Sequence, residues 1–249
     1  ENDSSFVNEY MWKGFFPSVW GERQDPTDVY KAYYQTYLQR DVADIISLKN
    51  LNLFRRFVLL LVARVGTELN AQSLANDVGV SVATIQQWIS VLETSYIAFL
   101  LPPYFRNIGK RLIKAPKIYF YDTGLVCYLL GIRNPQELDT HPMRGAIFEN
   151  LVVCEFLKHQ YNFNLNSSLY FYRDNKKEVD LLQEDGLNVD AYEIKVAQQD
   201  NTSFYGGLEY LRKIYGETIR TTQVVYTGTA ERNISENGLK SYYNLLRNI

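Results

Sequence analysis

Glu178-Val179-Asp180 sets a carboxylate inside a short apolar stretch, and Glu193-Ile194-Lys195 follows beyond an Asp185-Gly186 turn. Strand side chains alternate, so Glu193 and Lys195 share one face while Ile194 takes the other. A hairpin over the turn can bring Asp180 close to Glu193. Two adjacent carboxylates repel, which is tolerable when a hard divalent cation lies between them; magnesium takes such oxygens and keeps several waters. The Lys195 ammonium could then orient or help deprotonate a metal-bound water and steady charge on a phosphoryl oxygen. Glu149, on a preceding helix, could reach the same spot. The catalytic candidates are therefore Glu149, Asp180, Glu193 and Lys195, with Asp180, Glu193 and Glu149 as ligands of Mg2+. The same residues also fit the ordinary charged face of a solvated hairpin.

The elements that must position these groups are legible in the pattern around them. Arg144–His159 reads as a helix with Ile147, Phe148, Leu151, Val152 and Phe156 at helical intervals. Strands follow at Leu169–Arg173, Glu178–Gln183 and Val189–Val196, then a helix at Phe204–Tyr215, a strand at Thr222–Tyr226 and a last helix at Ser235–Arg247. This is an α/β unit of order αβββαβα, expected to separate from what precedes it near residues 135–144.

Upstream the chain reads as helical. The aromatic stretch Phe6–Gly21 must pack on something, Asp25-Pro26 starts a long amphipathic helix, and Leu51–Val65 is a second, more buried one. Asn70 caps a helix through Leu74, Ala75 and Val78. Gly79 supplies the exit, and Ser81 caps the next helix, with Ile85, Trp88, Ile89 and Leu92 on one face. That is a helix-turn-helix pattern. Extended segments at Tyr96–Phe105 and Arg111–Tyr121, around the turn Asn107-Ile108-Gly109, look like the wing of a winged helix.

Between Glu68 and Phe105 there is no Lys or Arg, so the second helix of that pattern offers Thr84, Gln86, Gln87 and Ser90 but no phosphate anchor. The wing carries Arg106, Lys110, Arg111, Lys114 and Lys117 without an intervening acid. It could hold a phosphate backbone without reading sequence, or cover an acidic protein surface. Such binding must be local, because the formal charge of the chain is −2. Hydrophobic residues at 46% and charged residues at 22% supply packed cores and exclude disorder. The longest aliphatic run, Phe57–Ala63, falls far short of the ~20 residues of a membrane span. Cys127 and Cys154 read as small buried residues, and His141 and His159 stand apart from any zinc-ligand spacing. A reducing, cytoplasmic setting fits. The chain opens on Glu1 rather than Met, which reads as part of a longer polypeptide.

The sequence resembles a known family over nearly its whole length. The motifs Gly14-Phe15-Phe16-Pro17, Tyr37-Leu38-Gln39-Arg40-Asp41-Val42, Leu101-Pro102-Pro103-Tyr104, Lys114-Ala115-Pro116-Lys117, Asp122-Thr123-Gly124-Leu125, Gly145-Ala146-Ile147-Phe148-Glu149-Asn150 and Glu193-Ile194-Lys195 occur in the order seen in the C-terminal region of a large family of prokaryotic AAA-type P-loop ATPases. Glu149, Asp180, Glu193 and Lys195 likewise resemble the active-site pattern of the PD-(D/E)XK nuclease superfamily, with Val179-Asp180 in place of Pro-Asp. The resemblance implies a multidomain α plus α/β architecture. Residues 1–50 would be a helical segment linking to an ATPase domain, 51–140 a winged helix-turn-helix domain and 141–249 a restriction-endonuclease-like α/β domain. It implies a magnesium-dependent nuclease or nucleic-acid-binding module coupled to ATP hydrolysis, with a non-catalytic regulatory or protein-interaction module as the alternative. The implied partners are the chain's own N-terminal ATPase domain, DNA or RNA, and a protein, with no membrane. No Gly-x-x-x-x-Gly-Lys-Ser/Thr is present, so ATP would enter only through that further domain. Arg40 would sense nucleotide or form a structural ion pair.

Overall fold

A computed structural model describes residues 3–41, 51–105, 114–164 and 168–248. The chain divides into two compact units: a helical unit of Asn8–Leu100 and Pro116–Asn150, and a sheet unit of Glu1–Val7, Leu101–Ala115 and Leu151–Ile249. The division passes through the helix Arg144–Asn162, between Asn150 and Leu151.

In the helical unit, the part of α1 (Asp3–Lys13) from Asn8 onward and α2 (Pro17–Gly21) lead into α3 (Pro26–Tyr33), which Asp25 caps through the Thr27 N–H and which continues as a π-helical stretch, Tyr34–Asp41. Next come α4 (Leu51–Val62), α5 (Ala71–Val78) and α6 (Val82–Thr94). Asn70 accepts from the Ser73 N–H and Ser81 from the Thr84 N–H, so both starts lie where their capping residues put them. Phe54 and Phe57 of α4 pack on Trp88 of α6, with ring centroids 5.4 and 5.2 Å apart. Strands β1 (Ala98–Leu101) and β2 (Lys117–Phe120) pair in a two-stranded sheet, each shorter than the extended segment expected there. They are followed by α7 (Thr123–Leu129) and α8 (Arg144–Asn162).

Asp122 ties this unit together. Its carboxylate accepts from the Phe15 N–H at 2.8 Å, the Tyr30 hydroxyl at 2.7 Å and the Gly124 N–H at 2.8 Å. Burial, then the Asp122 charge, push the Tyr30 hydroxyl far above its ordinary range. A Cβ on Gly14 would meet both Asp122 and the Tyr30 hydroxyl at 2.1 Å, so only glycine fits there, at φ +60°. Two of the motifs that carry the family resemblance thus meet in one buried hydrogen-bond network.

The sheet unit is built on five strands in the order β3 (Leu169–Arg173), β4 (Glu178–Asp185), β5 (Asn188–Lys195), β6 (Ile219–Tyr226) and β7 (Gly238–Ser241). The first two pairings are antiparallel and the last two parallel. One face, through Leu182, Val189, Ala191 and Val224, buries Leu208 and Leu211 of α9 (Gly206–Tyr215). On the other, Tyr192 meets Phe156 of α8 at 4.7 Å. The expected helix Ser235–Arg247 is instead β7 followed by α10 (Tyr242–Asn248): Gly238–Ser241 join the sheet as a parallel edge. Long-range pairing wins there over the helical spacing of the local sequence.

Candidate functional site

The β4–β5 hairpin runs in register from Asp185↔Asn188 to Leu181↔Tyr192, closing at the Asp185-Gly186 turn expected from the sequence. At the next position a side chain meets the backbone of β5: Asp180 Oδ2 accepts the Ile194 N–H at 2.8 Å. That bond fixes the carboxylate beside the end of β5. Glu193 and Lys195 share a face, as strand alternation requires, and Lys195 Nζ lies 2.6 Å from Glu193 Oε1 and 3.5 Å from Asp180 Oδ2. The two carboxylate side chains are 12% and 10% exposed, whereas Lys195 is 34% exposed. The cluster therefore has a buried anionic floor and a cation on its open side.

Such a floor has a definite chemical capacity. Two hard oxygen donors held together from different strands suit a divalent cation that keeps part of its water shell. The ammonium at 2.6 Å shows that the pair accepts a positive charge in that position.

Glu149 belongs to the helical unit, whereas Asp180, Glu193 and Lys195 belong to the sheet unit. Glu149 Oε1 accepts from Lys117 Nζ at 2.9 Å and from the Tyr119 hydroxyl at 2.5 Å. The next residue, Asn150, accepts the Phe120 N–H at 2.7 Å and donates to the Phe120 carbonyl at 2.8 Å. Consecutive residues of α8 thus grip β2 along its length. Among the described residues no group of three or more His, Cys, Asp or Glu stands together as a metal site. The carboxylates that Lys195 brings together at the end of β5 are Asp180 and Glu193.

The basic residues expected to hold phosphate divide three ways. Arg106, Lys110 and Arg111 lie outside the described residues. Lys114 is exposed. Lys117 is 2% exposed and engaged with Glu149, which makes it part of the core of its unit and not a surface cation. Its burial follows from β2, all four of whose residues are buried, a pattern that the alternation of Lys117 with Ile118 in the sequence does not announce. Cys127 and Cys154 are buried free thiols, as their reading as small apolar residues requires. No described helix is long and apolar enough to cross a membrane.

The sequence places a turn at Asp174–Lys177, and Asp174 is the residue that holds it. Its carboxylate accepts from the Tyr172 and Tyr210 hydroxyls at 2.9 and 2.8 Å and from the Lys176 and Lys177 N–H groups at 2.8 and 2.9 Å. Burial works against its charge, but the two backbone donors and the two hydroxyls outweigh it and bring the carboxyl down to about 2. The signal in the sequence is an Asp opening the turn Asp174–Lys177, the position from which such a side chain caps following amides.

Two family models match the chain. The domain of unknown function DUF8612 matches residues 5–136 and the domain of unknown function DUF4143 matches residues 144–245. Among curated relatives, an uncharacterized protein of Mycobacterium tuberculosis and one of Mycobacterium bovis are each 31% identical over 152 residues, 60% of this chain and 34% of theirs. The match thus spans about a third of the length of these relatives. No solved structure matches. The DUF8612 match covers more than half of the residues, and the chain belongs to that family.

Proposed function

We propose that the chain is the C-terminal part of an AAA-type ATPase, with a winged helix in its helical unit and a PD-(D/E)XK-like sheet unit that handles a phosphodiester with magnesium. The DUF4143 match supports this, because that domain is typically found in AAA-ATPase-associated proteins. The observation that carries the chemistry is the meeting of Lys195 Nζ with Glu193 at 2.6 Å and Asp180 at 3.5 Å at the end of β5. Asp180 and Glu193 would hold the cation. Bound there, magnesium would supply an activated water and neutralise charge on the phosphoryl group. Asp180 is held in place by the Ile194 N–H, so little ordering remains to be done on binding. Lys195, on the open side, would place its ammonium against a non-bridging oxygen of the substrate. Glu149 is left out of this set because Lys117 and Tyr119 hold it.

One observation favours the regulatory alternative: the Lys195 ammonium already bridges both carboxylates and offsets one of their two charges, so the cluster holds together as a salt-bridged hairpin. Cleavage of single- and double-stranded DNA and RNA by the full-length protein, with and without Mg2+, decides between the two. The nuclease reading expects Mg2+-dependent cleavage that is lost in Asp180→Ala. In Lys195→Ala it expects most turnover lost with cation binding kept. Absence of both binding and cleavage in the wild type leaves the regulatory module.

A further inference from the structure

Strand direction brings the β3–β4 turn to the same end of the sheet as the Asp180–Glu193–Lys195 cluster. The turn joins the end of β3 to the start of β4, and β5, antiparallel to β4, finishes at that end with Glu193 and Lys195. Asp180 lies three residues beyond Lys177, about 10 Å along a strand. Lys176 and Lys177 are both exposed.

This turn is firmly held. Its first residue, Asp174, caps both lysine amides and takes two tyrosine hydroxyls, Tyr172 from β3 and Tyr210 from α9. The Asp174 N–H donates to the Lys177 carbonyl at 3.0 Å, closing the loop. From below, a Cβ at Gly207 of α9 would lie 2.4 Å from the Glu178 carbonyl oxygen, so the helix packs directly on the strand start. Of the turn's remaining charges, Arg173 and Glu178 face each other at 3.7 Å and largely offset. The turn is braced from both sides and carries two exposed lysines at the sheet end that holds the candidate cation site, the Lys177 ammonium lying over the start of α9, 3.1 Å from where a Cβ on Gly206 would stand.

We propose that Lys176 and Lys177 hold the phosphodiester backbone of a polynucleotide beside the Asp180–Glu193–Lys195 cluster, and that Asp174 is the positioning residue that sets the turn. This rests on the phosphodiester reading above. The contacts are to phosphate and carry no sequence information. They would place the substrate where Lys195 meets it and leave Asp180 and Glu193 to the cation.

The test uses the full chain and a short labelled single strand and its duplex, with binding read by fluorescence anisotropy across a salt series in EDTA, where cleavage is off. Lys176→Ala/Lys177→Ala should weaken binding on the order of tenfold at physiological salt and lower the log–log salt slope on the duplex by about 2, at about 0.9 per lost phosphate contact. The Mg2+ isotherm of that variant should match wild type. Asp174→Asn removes a negative charge, so simple electrostatics predicts tighter binding; the positioning role predicts weaker binding. Tighter binding in Asp174→Asn overturns the part given to Asp174. An unchanged slope in the double variant, with its Mg2+ isotherm intact, overturns the role of the turn and leaves the cation reading standing. A wild-type chain that binds Mg2+ but neither strand nor duplex overturns the proposal. A reduced slope in a chain that binds no Mg2+ supports the turn and sinks the cation site instead.

Discussion

Glu149 and Glu193 each carry a lysine ammonium within hydrogen-bonding distance, at 2.9 and 2.6 Å, yet the two pairs sit in different surroundings. Around Glu149 the lysine is 2% exposed and a tyrosine hydroxyl also donates to the carboxylate. Around Glu193 the lysine is 34% exposed and the further neighbour is another carboxylate, Asp180. The first arrangement spends its charge internally, tying α8 to β2. The second gathers like charges at the end of a sheet and leaves the compensating cation facing solvent. A partly open cluster of like charges is a candidate for a functional site, and a closed pair is not.

The widest gap between the two regions should appear in stability. Lys117→Met removes a buried ammonium 2.9 Å from the Glu149 carboxylate, which is 17% exposed, and should cost about 3 kcal/mol in denaturant unfolding, most of it recovered when Glu149→Met is added. Asn150→Ala strands the Phe120 N–H and carbonyl, both buried, and should cost about 2–3 kcal/mol by the same measurement. Glu193→Gln relieves repulsion with Asp180 while Asp180 keeps Lys195, so it should change stability by less than about 1 kcal/mol. A loss near that of Lys117→Met would erase the distinction and make the Glu193 cluster another structural clamp.

The smallest expected effect is a slope against pH. The Asp174 carboxyl, brought down to about 2, binds its proton less readily folded than unfolded, so it adds stability above the ordinary aspartate range. That contribution fades as pH falls from about 4 toward about 2. Asp174→Asn should flatten the acid-unfolding curve in that window, read by circular dichroism, and an unchanged curve would count against the hydrogen-bonded turn.

The sequence exposed what local chemistry decides. Asn70 and Ser81 cap the helices expected of them, the Asp185-Gly186 turn closes its hairpin, and alternation puts Glu193 and Lys195 on one face. It hid what only tertiary pairing decides. Gly238–Ser241 read as part of a helix and form a strand, because β6 offers a parallel edge that no local pattern announces. Glu149 reads as a carboxylate on a helix preceding the hairpin, and nothing local to it announces the hydrogen bonds it accepts from Lys117 and Tyr119, about thirty residues earlier on β2. Lys117 shows the same limit from the other side: in a basic run it reads as a phosphate contact, and in the fold it is the buried half of an ion pair.

Magnesium titration by isothermal calorimetry, on wild type, Asp180→Asn and Glu149→Gln, tests the account most directly. The cluster at the end of β5 should give a saturable isotherm in wild type that Asp180→Asn abolishes and Glu149→Gln, once shown to be folded, retains. An isotherm that survives Asp180→Asn, or one that Glu149→Gln alone removes from a folded chain, would contradict it.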